Sequence, residues 1–155
     1  MQVGVISDTH GLLRPEALRA LEGSEAILHA GDVGDAAILE ALGKIAPVTA
    51  IRGNIDQTGL CAALPETEWV ELGGAVFYLI HDVKELDLDP AAAGISVVVS
   101  GHSHHAKVER RKGVLYLNPG SAGPRRFRLP VTAARVTVES GRVEAEIVEL
   151  VQEPV

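Results

Sequence analysis

Cysteine is almost absent: Cys61 stands alone among 155 residues. One thiol can form neither an internal disulfide nor a thiolate cage for zinc, so any bound metal has to be held by nitrogen and oxygen. Basic charge is scarce too, with 14 Lys and Arg against 21 Asp and Glu and a formal net charge of −7. Proteins that grip duplex nucleic acid or an anionic membrane by charge carry a basic face, so long nucleic acid is not an expected partner. Long apolar runs are missing as well. Apolar residues make up 46% of the chain, yet no run approaches the roughly 20 residues of a membrane span. The N-terminus also lacks a basic and then apolar signal segment, and the expectation is a cytoplasmic protein with no membrane partner. Histidine, by contrast, is plentiful. There are six, and His81, His102, His104 and His105 fall within 25 positions.

Short apolar runs bounded by Gly, Asp, Asn or Pro mark buried strands at Val3 to Ile6, Ala26 to Leu28, Val48 to Ile51, Val76 to Ile80 and Ile95 to Val99. Helices are predicted between the first three, over Pro15 to Leu21 with Pro at the first helical position and over Asp35 to Leu42 with Asp35 as cap. This alternation implies parallel pairing. A short helix is predicted around Pro90 to Ala93. Hairpins are expected where Trp69 to Leu72 and Ala75 to Ile80 flank Gly73-Gly74, and where Val108 to Arg111 and Val114 to Leu117 flank Lys112-Gly113. A third joins Ala134 to Glu139 and Val143 to Val148 through Ser140-Gly141-Arg142. No linker divides residues 1–155, so a single domain is expected. Parallel units followed by hairpins suit two sheets packed face to face with helices outside.

Nearly every apolar run ends in a potential metal ligand. Asp8-Thr9-His10 follows the first, His29-Ala30-Gly31-Asp32 the second, Gly53-Asn54 the third, His81 the fourth, and Gly101-His102-Ser103-His104 the fifth. In α/β sheets, functional groups collect at the carboxyl ends of strands. Each piece has a plain alternative. Asp8 and Asp32 can cap turns, His81 can be a satisfied core histidine, and His102 and His104, sharing one face of an extended segment, can simply face solvent. Jointly, Asp8, His10, Asp32, Asn54, His81, His102 and His104 offer three oxygen donors and four imidazoles. That is too many for one tetrahedral zinc and suits two ions sharing a bridging carboxylate. Glycines at 31, 53 and 101 would let the backbone approach closely.

Taken in order with Asn118-Pro119-Gly120-Ser121, these motifs resemble the signature of the calcineurin-like metallophosphoesterases, and most of all the small bacterial and archaeal phosphodiesterases. The resemblance runs from residue 8 to 121. It implies an α/β fold, a four-layer αββα sandwich of two mixed β-sheets flanked by helices. It implies that Asp8, His10 and His104 hold one divalent ion, that Asn54, His81 and His102 hold the other, and that Asp32 bridges them. Manganese comes first, with iron, nickel, zinc and cobalt also accepted by such a set. The implied reaction is hydrolysis of a small phosphate ester, a phosphodiester above all, by a hydroxide formed from metal-held water. The alternative is a phosphoesterase-fold scaffold that binds a protein partner. Self-association stays open.

The sequence also departs from the family pattern. Many members carry histidine where this chain has Ile55, which can neither protonate a leaving group nor hold a phosphate. His81 is followed by Asp82-Val83 where Gly and a further His are usual, and Asp82 is either an acceptor orienting a ligand or a loop carboxylate. After Gly31-Asp32, the usual Asp-Arg pair appears as Asp35-Ala36. His29 is expected to be a structural group at the strand end or a support for a ligand rather than a ligand itself, and His105 to face solvent. Asp56 either tethers the Asn54 loop or lies on the surface. Arg125 and Arg126 either clamp a phosphate or form a plain basic loop.

Overall fold

A computed structural model describes residues 1–126 and 128–151. Among these residues, ten strands form two five-stranded sheets. The first sheet has the order β10-β9-β1-β2-β3, comprising β1 (Gln2–Ile6), β2 (Ala26–His29), β3 (Val48–Ala50), β9 (Thr132–Glu139) and β10 (Arg142–Glu149). The second has the order β4-β5-β6-β8-β7, comprising β4 (Thr67–Leu72), β5 (Ala75–Ile80), β6 (Val97–Val99), β7 (Lys107–Arg111) and β8 (Val114–Asn118). Both sheets are mixed. The strands β1, β2 and β3 are parallel, as are β5, β6 and β8, while β9, β10, β4 and β7 join antiparallel.

Alternation along each strand divides the apolar residues between two faces. Val3 and Val5 of β1 meet Phe77 and Leu79 of β5, Val97 and Val99 of β6, and Leu115 and Leu117 of β8 in the core between the sheets. Ile6 and Ile27 turn outward and are covered by α1 (Pro15–Leu21) and α2 (Ala36–Gly43) through Ala17, Leu21, Ile38 and Leu42. The predicted capping holds: Pro15 opens α1, and the Asp35 side chain accepts the Ala37 N–H at the start of α2.

The outer face of the second sheet differs. Tyr78, Ile80, Val98 and Val114 are covered by Ile95 and by Leu86 and Leu88, supplied by a 3-10 turn at Val83–Glu85 and the loop after it. This fourth layer is thin. The helix predicted around Pro90 to Ala93 is one hydrogen-bonded turn, held by Ala93 N–H to Asp89 and by the Asp89 side chain on Ala91. Gly94, at φ 80°, ends the turn before Ile95 enters the outer layer. A second 3-10 turn, Leu60–Ala63, was not foreseen.

The three hairpins occur as expected, each with two turn residues at positive φ: Gly73 and Gly74, Lys112 and Gly113, Ser140 and Gly141. At the last, Arg142 already pairs with Glu139, so the turn is one residue shorter than its sequence suggested.

Candidate metal centre

Strands from both sheets end at one rim, and their following loops are stitched together there. Asp8 N–H donates to Gly31 O, His10 N–H to Asp32 O, and Gly101 N–H to His81 O. Two glycines make the close approach feasible. A side chain on Gly53 would fall on the Asp32 carboxylate, and one on Gly101 would strike Ser7 Oγ and Asp8 Oδ2.

The two aspartates are held in the same manner. Asp8 Oδ2 accepts Ser7 Oγ–H at 2.7 Å and His102 N–H at 3.1 Å, leaving Oδ1 to face the imidazoles: 3.4 Å from His104 Nε2, 3.8 Å from His10 Nε2 and 3.9 Å from His81 Nε2. Asp32 Oδ1 accepts Ile55 N–H at 3.0 Å, and its Oδ2 lies 3.2 Å from His81 Nε2 and 3.6 Å from His10 Nε2. His81 donates its Nδ1–H to Ala30 O at 2.7 Å, which turns the Nε2 lone pair inward. Asn54 Oδ1 sits 3.1 Å from that Nε2 and 3.3 Å from His102 Nδ1.

All seven predicted residues therefore come to one rim, but not equally. Asp8, His10 and His104 form one cluster with ligand atoms within 4.8 Å of one another, and Asp8, Asp32 and His81 form another. His102 stands farther out, its side chain 46% exposed, touching the site through Asn54. The extended segment expected for His102 and His104 is absent. Their φ values are 70° and 64°, so a left-handed turn, not strand alternation, places His104 inward and leaves His102 exposed. Asp8, His10 and Asp32 share this left-handed backbone with φ of 56°, 46° and 56°. Such conformations cost of order 1–3 kcal/mol each in non-glycine residues and persist where the surroundings enforce them.

The donor set fits divalent ions on two counts. Asp8 Oδ1 and His10 Nε2 are buried without a hydrogen-bond partner among the described residues, a costly state for polar atoms. Around His81, the Nε2 lone pair, Asp32 Oδ2 and Asn54 Oδ1 are all acceptors, so a cation or a proton has to lie among them. The titration behaviour agrees. Burial alone would raise the Asp32 carboxyl, but hydrogen bonds from His81 and Ile55 N–H and the charges of His81 and His10 hold it down to about 2. Burial opposes a proton on His81, yet Asp32, Ala30 O and Asp8 together raise its pKa. Burial, with Arg126 and His10, lowers that of His104.

His29 is fully buried and structural, as expected. Its Nε2 meets Thr9 Oγ1 at 3.0 Å, and its Nδ1 accepts Gly31 N–H, joining the Asp8 and Asp32 loops. His105 is exposed. Asp56 is a tether, 3% exposed, its carboxylate accepting from Val33, Gly34 and Gly53 N–H. Asp82 caps the Val83–Glu85 turn and stands 3.8 Å from His102 Nε2. Arg125 and Arg126 are exposed. Two supporting groups escaped the sequence reading. Ser7 fixes Asp8, and Asn118 ties Gly101 O and Ser103 Oγ, anchoring the His102 loop. The signal for Asn118 was the Asn118-Pro119-Gly120-Ser121 motif, whose Ser121 Oγ also donates to Asp8 O.

Comparison with known proteins agrees with this geometry. The calcineurin-like phosphoesterase superfamily domain matches residues 1–141. A probable metallophosphoesterase of Methanocaldococcus jannaschii is 32% identical over 163 aligned positions, spanning 97% of this chain and 82% of the relative. Among solved structures, an archaeal phosphodiesterase superposes with a TM-score of 0.78 at 23% identity, covering 96% of this chain and all of the other. Vps29 of Chaetomium thermophilum does so with 0.76 at 19% identity, covering 96% and 97%. Two mixed sheets, carboxylates and imidazoles gathered at their shared rim, and a match over nine-tenths of the length lead to one conclusion: the chain belongs to the calcineurin-like phosphoesterase superfamily.

Proposed function

We propose that the chain, acting as one domain in the cytoplasm, hydrolyses small phosphodiesters with two divalent ions, manganese first among them. In this assignment Asp8, His10 and His104 hold one ion, Asn54, His81 and His102 the other, and Asp32 lies between. The observation that carries the reading is that Asp32 Oδ2, 3.2 Å from His81 Nε2 in its own cluster, also lies 3.6 Å from His10 Nε2 of the other. Divalent ions bound there supply charge that polarises phosphoryl oxygens and acidifies water.

The residues of the chain hold and orient. Ser7 Oγ and His102 N–H fix one oxygen of Asp8, and Ile55 N–H fixes one of Asp32, so each carboxylate presents its remaining oxygen. Ala30 O takes the His81 Nδ1 proton and commits Nε2 to the site. Ile55, an exposed residue, has no side-chain proton to give a departing alkoxide. Loss of general acid help worth about 10²- to 10⁴-fold then favours esters with good leaving groups.

The testing experiment is hydrolysis of aryl and alkyl phosphodiesters, phosphomonoesters and cyclic nucleotides by the metal-loaded protein. Aryl diesters are expected to turn over fastest, with Asp32→Ala slower by at least about 10³-fold. Equal rates in Asp32→Ala would sink the bridging assignment, and comparable aryl and alkyl rates would sink the leaving-group argument. A second reading, a scaffold that binds a protein partner, draws on the fold likeness to Vps29. The full donor set weighs against it, and inertness toward the whole panel would favour it.

A further inference from the structure

His102 stands between two grooves of opposite charge. The first, of about 430 Å³, is lined by Glu66, Asp82, Glu85 and Asp87, and Arg52, its one lining Lys or Arg among the described residues, is already paired to Glu66 at 2.7 Å. The second, of about 600 Å³, holds Lys84, Lys107 and Arg111 and has Asp82 as its lining carboxylate. Beside it Glu109 alone serves both Lys107 at 2.8 Å and Arg111 at 3.0 Å, so this trio keeps a positive charge. Arg111 is also held over the Tyr116 ring at 5.0 Å. Lys84 has no ion-pair partner among the described residues. Both grooves open onto His102, so the two halves of a diester leaving the metal centre enter different electrostatic surroundings.

We propose that the second groove seats an ester half that carries a further phosphate, which makes phosphodiesters with a second anionic group the substrate class of this site. The inference rests on the phosphodiester reading above. A phosphate in the first groove meets Glu85 and Asp87, which have no ion-pair partner among the described residues, together with Asp82, and is repelled. In the second it meets Lys84 and the cationic trio, and because Glu109 and Tyr116 hold Arg111 in place, less side-chain freedom is lost on binding. These cations are solvent-exposed, so each contributes modestly, and together they amount to about a tenfold gain in affinity that salt screens.

The p-nitrophenyl esters of thymidine 5′-phosphate, with and without a 3′-phosphate, share the reacting phosphate and the leaving group. The metal-loaded protein is expected to show a KM about tenfold lower for the 3′-phosphorylated ester. That ratio is expected to fall toward one in the Lys84→Ala/Lys107→Ala double variant and at about 0.5 M salt. Lys44→Ala, which removes an exposed cation at the end of α2, is expected to keep it. Equal KM values in the unaltered protein overturn the groove assignment while leaving the hydrolysis intact. A tenfold ratio that survives the double variant overturns it as well. Failure to hydrolyse either ester overturns the phosphodiester reading itself, and the groove assignment with it.

Discussion

Between the sheets, Phe77, Leu79, Val97, Val99, Leu115 and Leu117 pack on Val3, Val5 and Leu28 in extended backbone, all nearly inaccessible to water. A few residues farther along the same strands the materials change. Among the described residues, five of the seven non-glycine residues with positive φ are Asp8, His10, Asp32, His102 and His104 at the rim, where buried polar atoms stand unpaired. The interior gains free energy by removing apolar surface from water. The rim loses some, through backbone strain and desolvated donors, and holds its shape because the interior fixes the strand ends. Stability and function thus occupy neighbouring stretches of one strand, and substitutions a few positions apart have opposite consequences.

The largest expected effect lies in the interior. Phe77→Ala removes a ring with no exposed surface and leaves a cavity, costing about 3–5 kcal/mol in urea unfolding. A loss under about 1 kcal/mol would mean that the two sheets are less tightly joined than described.

Next comes the boundary between the regions. Burial lowers the pKa of His29 from 6.5 to about 4, against the opposing pull of Asp8 and Asp56. Between those values the unfolded chain binds the proton and the folded one does not, so stability rises with pH. The contribution is complete above about pH 6.5 and is lost toward pH 4, amounting to about 3 kcal/mol. Unfolding free energies measured in chelator from pH 7 to 4 should show this fall, and His29→Gln should flatten it. Identical slopes would remove His29 from the account.

The smallest effect has the opposite sign. His102 is exposed with φ of 70°, so His102→Gly relieves left-handed strain at little cost in packing. In chelator it is expected to raise stability by about 1 kcal/mol while hydrolysis is lost. A clear drop in apoprotein stability would contradict the claim that the rim is held against its own preference.

The fold was largely readable because its strands are short apolar runs ended by Gly, Asp or Asn, and its hairpins carry turn residues such as Gly73-Gly74 and Lys112-Gly113. The thin layer over the second sheet was less so, since one turn at Asp89 and a 3-10 turn at Val83–Glu85 have no periodicity to detect. The gathering of the seven rim residues was readable because carboxylates and imidazoles at successive strand ends are distinctive. The manner of their presentation was not. Spacing alone treats His102 and His104 as strand neighbours, whereas a left-handed turn separates them. Ser7 and Asn118 are ordinary polar residues until the chain brings Asp8 and Gly101 within their reach.

The backbone N–H groups that pin the two carboxylates come from far along the chain: Asp8 is pinned by His102, 94 residues away, and Asp32 by Ile55, 23 residues away. Each carboxylate is a latch whose catch lies on another segment, and the first spans both sheets. No short peptide cut from this chain contains a complete pocket. An ion bound there is therefore expected to slow opening of the closed sandwich more than it speeds assembly.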